Sequence, residues 1–163
     1  MWGFGQNLSG QLGLGHTNKV DKPTKLELLS KSNVKITNVR SEGNVNLATS
    51  EDGRLFMWPY SDKAGNLKVE PIRVNIGKNE LVCNIACGHN FAVIQTKNGS
   101  LYSYGKTNKF GQLGHGDNNP RYRPFLIEFF TINQERVAQV SCGYKHCVAK
   151  TNTGKVFTWG LVS

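Results

Sequence analysis

The sequence contains no apolar run approaching the ~20 residues of a membrane-spanning helix. Its longest greasy stretch, Phe125-Leu126-Ile127-Glu128-Phe129-Phe130, is broken by a charge. No basic segment followed by an apolar one opens the chain, so no secretory leader and no membrane partner are expected, and an intracellular location, cytoplasmic or nuclear, is. Prolines are few, 5 against 18 glycines, which excludes a collagen-like or linker composition and points to many tight turns. Acidic residues are scarce, 11 against 20 Lys and Arg, giving a formal charge of +9. Such a surplus favours acidic partners: nucleic acid, anionic lipid or acidic protein surfaces. The basic residues are nevertheless spread evenly and form no tail, as on an ordinary solvated surface. Only four cysteines occur, Cys83, Cys87, Cys142 and Cys147; without a secreted context they do not imply a disulfide framework. The sequons Asn7-Leu8-Ser9 and Asn98-Gly99-Ser100 are read as chance matches for the same reason.

What is present is an internal repeat. Residues 85–105 and 140–160 align without a gap at an offset of 55. Both carry Cys-Gly, an apolar run, a Gly turn, and a strand ending in aromatic-Gly. A weaker copy spans Gly43 to Trp58. A second block follows. Gly3 leads to Gly10-Gln11-Leu12-Gly13-Leu14-Gly15, and Gly105 to Gly111-Gln112-Leu113-Gly114-His115-Gly116; after the weak copy the place holds the degenerate Ala64-Gly65-Asn66-Leu67. A proline with an apolar residue three later closes each unit: Pro23/Leu26, Pro71/Val74 and Pro124/Ile127. The period is about fifty residues.

Asp52-Gly53, Asn98-Gly99 and Thr153-Gly154 sit between apolar runs, and Asp-Gly and Asn-Gly favour hairpin turns with positive φ. After each turn the chain alternates: Leu55/Met57 against Phe56/Trp58, Leu101/Ser103 against Tyr102/Tyr104, Val156/Thr158 against Phe157/Trp159. Period two with β-branched and aromatic residues predicts strands, and the aromatic pair gives neighbouring units a common face on which to stack. The closing proline suits the start of an edge strand. Lys25 to Ser30 is the best helix candidate and is read as strand. The fold class is therefore all-β: four-stranded antiparallel meanders, which at this period are β-propeller blades. The predicted domain is a single partial propeller over residues 1–163, with blades at 34–74, 81–127 and 137–160. The N-terminal segment 1–29 supplies the end of a further blade.

Within that class, one set of residues resembles a known family. Cys142-Gly143-Tyr144-Lys145-His146, Phe157-Thr158-Trp159-Gly160 and Gly105-Lys106-Thr107-Asn108-Lys109-Phe110-Gly111-Gln112-Leu113-Gly114 are similar to the signature of the regulator of chromosome condensation repeat. The resemblance implies a seven-bladed propeller, for which about 350 residues are needed. About three blades are present. The chain starts on Trp2-Gly3 and ends on Trp159-Gly160, which is read as one fourth strand, two full blades and three strands. Three explanations stay open for an incomplete or partner-completed ring: missing chain of a longer protein, self-association into a six-bladed ring, or docking on a larger complex.

The candidate partner-binding residues are Lys106, Lys109, Arg121, Tyr122 and Arg123, in a stretch whose one acid is Asp117; arginine beside an aromatic suits phosphate or an acidic peptide. Gly88, Gly99, Gly105, Gly143, Gly154 and Gly160 are read as structural repeat positions. His146 is read as a hydrogen-bonding brace for a turn. Zinc and disulfides are disfavoured because Cys87 and Cys142 hold the same repeat position, so the cysteines are read as buried free thiols; no metal and no cofactor are expected. The glycine blocks lack the Gly-Lys-Ser/Thr of a phosphate loop and are read as turns between third and fourth strands. No catalytic set is placed by the sequence, so an enzyme is not expected.

The resemblance implies two functions. One is a non-catalytic protein-binding scaffold within a larger protein or complex. The alternative is guanine-nucleotide exchange on a Ran-type small GTPase with chromatin binding. No inserted hairpin is read between the repeats, which weighs against exchange; nucleic-acid binding rests on charge alone. The Gly-Trp-Arg-His pattern of the family's plant ultraviolet sensors is absent, with Tyr144 where that Trp would stand.

Overall fold

Each Gly turn closes a hairpin. Gly53, Gly99 and Gly154 take φ of 82°, 87° and 85°, a region that glycine enters without steric cost. Their amides donate to Ser50, Thr96 and Thr151 at 2.9, 2.9 and 3.0 Å. In the computed structural model, which describes all residues except Ser32, Asn44, Asp62, Lys63, Val162 and Ser163, the strands group into two compact units, Met1–Asn75 and Ile76–Ser163. Asn44 of the weak copy thus lies outside the described residues.

The first unit contains β1 (Trp2–Gly5), β2 (Val20–Lys25), α1 (Glu27–Lys31), β3 (Ile36–Glu42), β4 (Val45–Ser50), β5 (Leu55–Trp58), β6 (Tyr60–Ser61), β7 (Leu67–Lys68) and β8 (Ile72–Val74). β1 and β2 form an antiparallel pair, β3-β4-β5-β8 a four-stranded sheet, and β6-β7 a short ribbon. Leu26, Leu29, Ala48, Phe56 and Trp58 make its core cluster.

The second unit contains β9 (Val82–Gly88), β10 (Phe91–Thr96), β11 (Leu101–Gly105), β12 (Arg121–Leu126), α2 (Glu128–Ile132), β13 (Val137–Cys142), β14 (His146–Thr151) and β15 (Val156–Gly160). One sheet runs β12-β11-β10-β9 and the other β13-β14-β15. Phe91, Val93, Leu101, Leu113, Ile127, Phe130, Val137 and Ala149 belong to the core between them. Phe130 meets Phe157 and Trp159 edge-on, with centroids 5.5 and 5.8 Å away, so the third-strand aromatics do face a neighbouring repeat. The architecture is all-β, of sheets built as propeller blades.

Four expectations need correction. Of Lys25 to Ser30, read as strand, only Lys25 is strand: β2 ends there and α1 follows. Leu26 and Leu29, three apart, are both buried, and one helical turn is what places both on one face. The same turn recurs in α2, whose Phe130 is buried. Second, the N-terminal segment supplies two strands where the sequence reading counted one, and its phase is Phe4-Gly5, not Trp2-Gly3. Gly5 pairs with Val20 as Gly105 pairs with Arg121. Third, β6-β7 is a small extra hairpin, seated in the weak repeat where the glycine block degenerates. Fourth, Pro23 and Pro124 lie inside β2 and β12, and Pro71 just before β8, rather than opening the strand. All three strands are sheet edges, where a missing N–H costs no ladder bond.

The glycine blocks join β1 to β2 and β11 to β12, and each clamps the following sheet. The carbonyl of Gln11 accepts from the Trp58 indole N–H at 3.1 Å, and that of Gln112 from Trp159 at 3.0 Å. A Cβ on Gly13 would lie 2.8 Å from Trp58, and one on Gly114 2.9 Å from Trp159. Those two positions are therefore glycine because an indole from the next repeat lies on the backbone, whereas Gly111 and Gly116 have open space and are set by φ of 69° and 75°.

Candidate functional site

Antiparallel meanders put their first turns and their third-to-fourth loops at one end. In the second unit that end carries the β9–β10 turn, the β13–β14 turn and the loop 106–116. The loop is held by Asn108, which is buried. Its Oδ1 accepts from Leu113 N–H at 2.9 Å, and its Nδ2 donates to the carbonyls of Asp117 and Asn119 at 2.7 and 3.1 Å. The two hairpin turns are tied by His89 N–H donating to Tyr144 O at 2.9 Å. Above that bond the His89 and Tyr144 rings stack, 4.4 Å between centroids at 20°.

Lys145 bridges the turn and the loop. Its ammonium lies 4.7 Å from the Phe110 ring centre and 5.5 Å from that of Tyr144, within cation–π reach. The turn is fixed from behind, since Lys145 O accepts from Leu161 N–H at 2.9 Å. Tyr144 is 60% exposed and Phe110 39%; Lys106 and Lys109 are exposed beside them. Neither the loop 106–116 nor the turn 143–146 contains an acid. The result is an outward surface of cations on aromatic planes, suited to carboxylates that bring apolar neighbours with them.

The sequence-predicted candidates divide. Lys106 and Lys109 lie in this loop. Arg121, Tyr122 and Arg123 lie along edge strand β12. Arg121 is engaged by Asp117, 2.7 Å away, an ion pair that holds the Asp117 carboxyl below its usual range. Arg121 and Arg123 both flank Phe125, at 5.6 and 5.0 Å from its ring centre. Tyr122 is half-buried. His89, Phe110, Tyr144 and Lys145 were missed. Their only sequence signal is that they occupy the variable positions beside Gly88, Gly111 and Gly143, which a turn must expose.

The repeat glycines have steric reasons. A Cβ on Gly143 would sit 2.3 Å from the His146 ring, and one on Gly88 2.1 Å from Phe91. His146 and Phe91 thus hold the same place by lying over a glycine, and the bond across this turn is between backbone groups, Gly143 N–H to His146 O at 2.9 Å. A Cβ on Gly105 would come 2.8 Å from that of Phe91, on Gly99 3.0 Å from that of Arg136, and on Gly160 2.4 Å from Lys145 O. Gly154 has open space and is required by its turn.

The cysteines are not uniformly buried. Cys83 is exposed, Cys87 and Cys142 are half-buried, and Cys147 is buried. Nor does repeat equivalence keep thiols apart, because Cys142 meets Cys147 across the β13–β14 ladder, with Sγ atoms 3.2 Å apart. Among the described residues one Ser–His contact is seen: Ser103 Oγ lies 2.8 Å from His115 Nε2 and donates to Leu113 O at 2.7 Å. Burial, then Arg121, holds His115 below its ordinary value. Ser103 is fully buried and its proton is committed to a carbonyl, so the pair is structural and does not form a nucleophile with its base. Among the described residues, no helix is long and apolar enough to cross a membrane.

Comparison with known proteins agrees with the blade geometry. A family model described as Regulator of chromosome condensation (RCC1) repeat matches residues 1–44 and 98–149, and a second of the same description matches residues 82–112. The chain is 33% identical over 164 residues to Ultraviolet-B receptor UVR8 of Arabidopsis thaliana, covering 96% of this chain and 36% of that protein. It is 34% identical over 169 residues to Secretion-regulating guanine nucleotide exchange factor of Bos taurus, covering 98% of this chain and 35% of that one. Human WBSCR16 superposes with a TM-score of 0.76 at 29% identity, over 96% of this chain and 42% of its own. Yeast RCC1 (Prp20), solved with Kap60, gives 0.71 at 20% identity, over 98% and 39%, and shows the fold alone. The chain spans little more than a third of the length of these curated relatives.

Proposed function

Since the chain belongs to the regulator of chromosome condensation (RCC1) repeat family, we propose that it is a non-catalytic protein-binding module. It engages an acidic protein surface through Lys106, Lys109, Phe110, Tyr144 and Lys145. The observation that carries this is Lys145 held over Phe110 and Tyr144, 4.7 and 5.5 Å from their ring centres, at an end without acids in its loop or turn. Aromatics and cations gathered on a rigid loop are what interface centres are built from.

The test is binding of a fluorescent acidic peptide containing Glu and Tyr to the folded chain. The Lys106→Glu/Lys109→Glu/Lys145→Glu variant, with unchanged circular dichroism, is expected to weaken it at least tenfold, and Phe110→Ala/Tyr144→Ala roughly fivefold. Equal binding by all three overturns the reading. Double-stranded DNA preferred over the peptide, with affinity falling steeply as salt rises, overturns it in favour of nucleic acid.

Guanine-nucleotide exchange is kept as a second reading because a 34% identical relative is named for it and because β6-β7 adds a ribbon to the first unit. Release of a labelled guanine nucleotide from a Ran-type GTPase is expected to be no faster with the chain present. A tenfold acceleration would make exchange the function.

A further inference from the structure

Cys142 and Cys147 are directly opposed in the β13–β14 ladder. They flank the turn that carries Tyr144 and Lys145. The next pair out, Gly143 and His146, is joined by a backbone bond at 2.9 Å. Pairs alternate along an antiparallel ladder, so Cys142 and Cys147 occupy a non-hydrogen-bonded place, where Cα atoms approach to about 4.5 Å. That is at the short end of the range a disulfide accepts, and the Sγ atoms are already 3.2 Å apart. Repeat packing does not impose the pairing: in the neighbouring sheet the equivalent cross-strand pair is Cys87 with Ala92.

We propose that Cys142 and Cys147 form a reversible disulfide, made by exchange with a low-molecular-weight disulfide, that reshapes the turn 143–146. Cys142 is half-buried and is the more accessible of the two; Cys147 is buried. In the first step the Cys142 thiol loses its proton to water and its sulfur attacks one sulfur of the reagent. The reagent's S–S bond breaks, and its departing half leaves as a thiolate that takes up a proton. In the second step the Cys147 thiol gives its proton to water and its sulfur attacks the Cys142 sulfur. The protein bridge forms and the second half of the reagent leaves. Two protein thiols are oxidised and one external disulfide is reduced to two thiols.

The hydrogen bond with Cys142, then burial, pushes the Cys147 thiol far above its ordinary value, which keeps it inert until Cys142 has reacted. Converting Cys142 to a mixed disulfide removes the first of those causes. It also places the electrophilic sulfur against the Cys147 sulfur, so that the second attack is intramolecular. A bridge prefers Cα atoms about 5.5–6 Å apart, so closing one here spreads the strands beneath the turn.

The proposal stands apart from the binding reading and is tested without it. The folded chain is equilibrated in glutathione and glutathione disulfide and followed by intact mass and by amide hydrogen exchange. The expected result is loss of two hydrogens, reversed by dithiothreitol. It is retained in Cys83→Ser/Cys87→Ser and abolished in Cys142→Ser and in Cys147→Ala, the latter tolerable because alanine fills the equivalent place at Ala92. The His89 amide, whose acceptor is Tyr144 O, is expected to change its exchange rate at least threefold on oxidation. An unchanged mass, a persistent glutathione adduct on the wild-type chain, or bridge formation with an unaltered His89 amide overturns the proposal.

Discussion

Residues 5–16 and residues 105–117 form the same loop, one residue longer in the second copy, on two different foundations. Asn7 and Asn108 both accept from a leucine amide five residues on, at 2.9 Å, and both donate to a carbonyl nine residues on, at 2.7 Å. Gln11 and Gln112 each accept an amide N–H two residues back and, through their carbonyls, an indole N–H. Yet Leu8 and Ser9 stand where Lys109 and Phe110 stand in the second loop. The strand before each loop differs as well. Among the described residues β1 pairs with β2 alone, and its Trp2 and Phe4 are 63% and 62% exposed; β11 lies between β10 and β12, and its Tyr102 and Tyr104 are 8% and 1% exposed. The motif therefore specifies the loop from its own atoms, whereas burial of its aromatics is conferred by neighbouring strands. What faces solvent is left free to differ, and there the second unit gathers its cations and rings.

The largest expected effect separates the two foundations. Leu113→Ala removes a fully buried side chain and is expected to cost about 2–5 kcal/mol in denaturant unfolding. Leu12→Ala, at the half-buried equivalent place, is expected to cost less than half of that; equal losses would break the comparison. Next, Asn7→Ala and Asn108→Ala each leave buried backbone groups unpaired, at roughly 2–3 kcal/mol. They are expected to agree within about 1 kcal/mol, because the clamp is the same in both loops. Trp58→Phe and Trp159→Phe each lose one indole bond to a glutamine carbonyl, worth about 1 kcal/mol apiece.

The smallest effect is on pH. Asp52 is held down to about 2 by its hydrogen bond to Arg54, then by Ser50, while Asn98 and Thr153 fill its place in the other two hairpins and do not titrate. A depressed carboxyl stabilises fully above its unfolded value near 3.9, and that contribution is lost as pH falls towards 2. Amide exchange in the 50–54 hairpin is expected to quicken across this window. The 96–100 hairpin is expected to hold, and the reverse order would show the ion pair to be idle.

Much of this frame was legible before any coordinates. Asp-Gly and Asn-Gly turns, period-two aromatics and a fifty-residue spacing each have a local cause, so residues a few positions apart reveal them. The fourth strands were found by their prolines but placed a few residues off, because an edge strand tolerates proline anywhere along it. α1 was missed because only five residues form it and the reason is tertiary: Leu26 and Leu29 must reach one core. The binding surface was half legible. Lys106 and Lys109 belong to a visibly basic loop, but Lys145 reaches Phe110 across 35 positions of sequence, and Tyr144 meets His89 across 55. The Cys142–Cys147 contact was hidden by repeat logic. Equivalent positions were compared between copies, whereas the pair forms across one hairpin.

The central claim is that the end of the second unit bearing Lys109, Phe110, Tyr144 and Lys145 is the surface that meets an acidic protein. Amide hydrogen exchange of the whole chain, with and without saturating acidic peptide, tests it most directly. The expected result is slowed exchange confined to residues 106–116, 143–146 and the His89–Asn90 turn. Slowed exchange at the opposite hairpins, 96–100 and 151–155, with 106–116 and 143–146 unchanged, would contradict it.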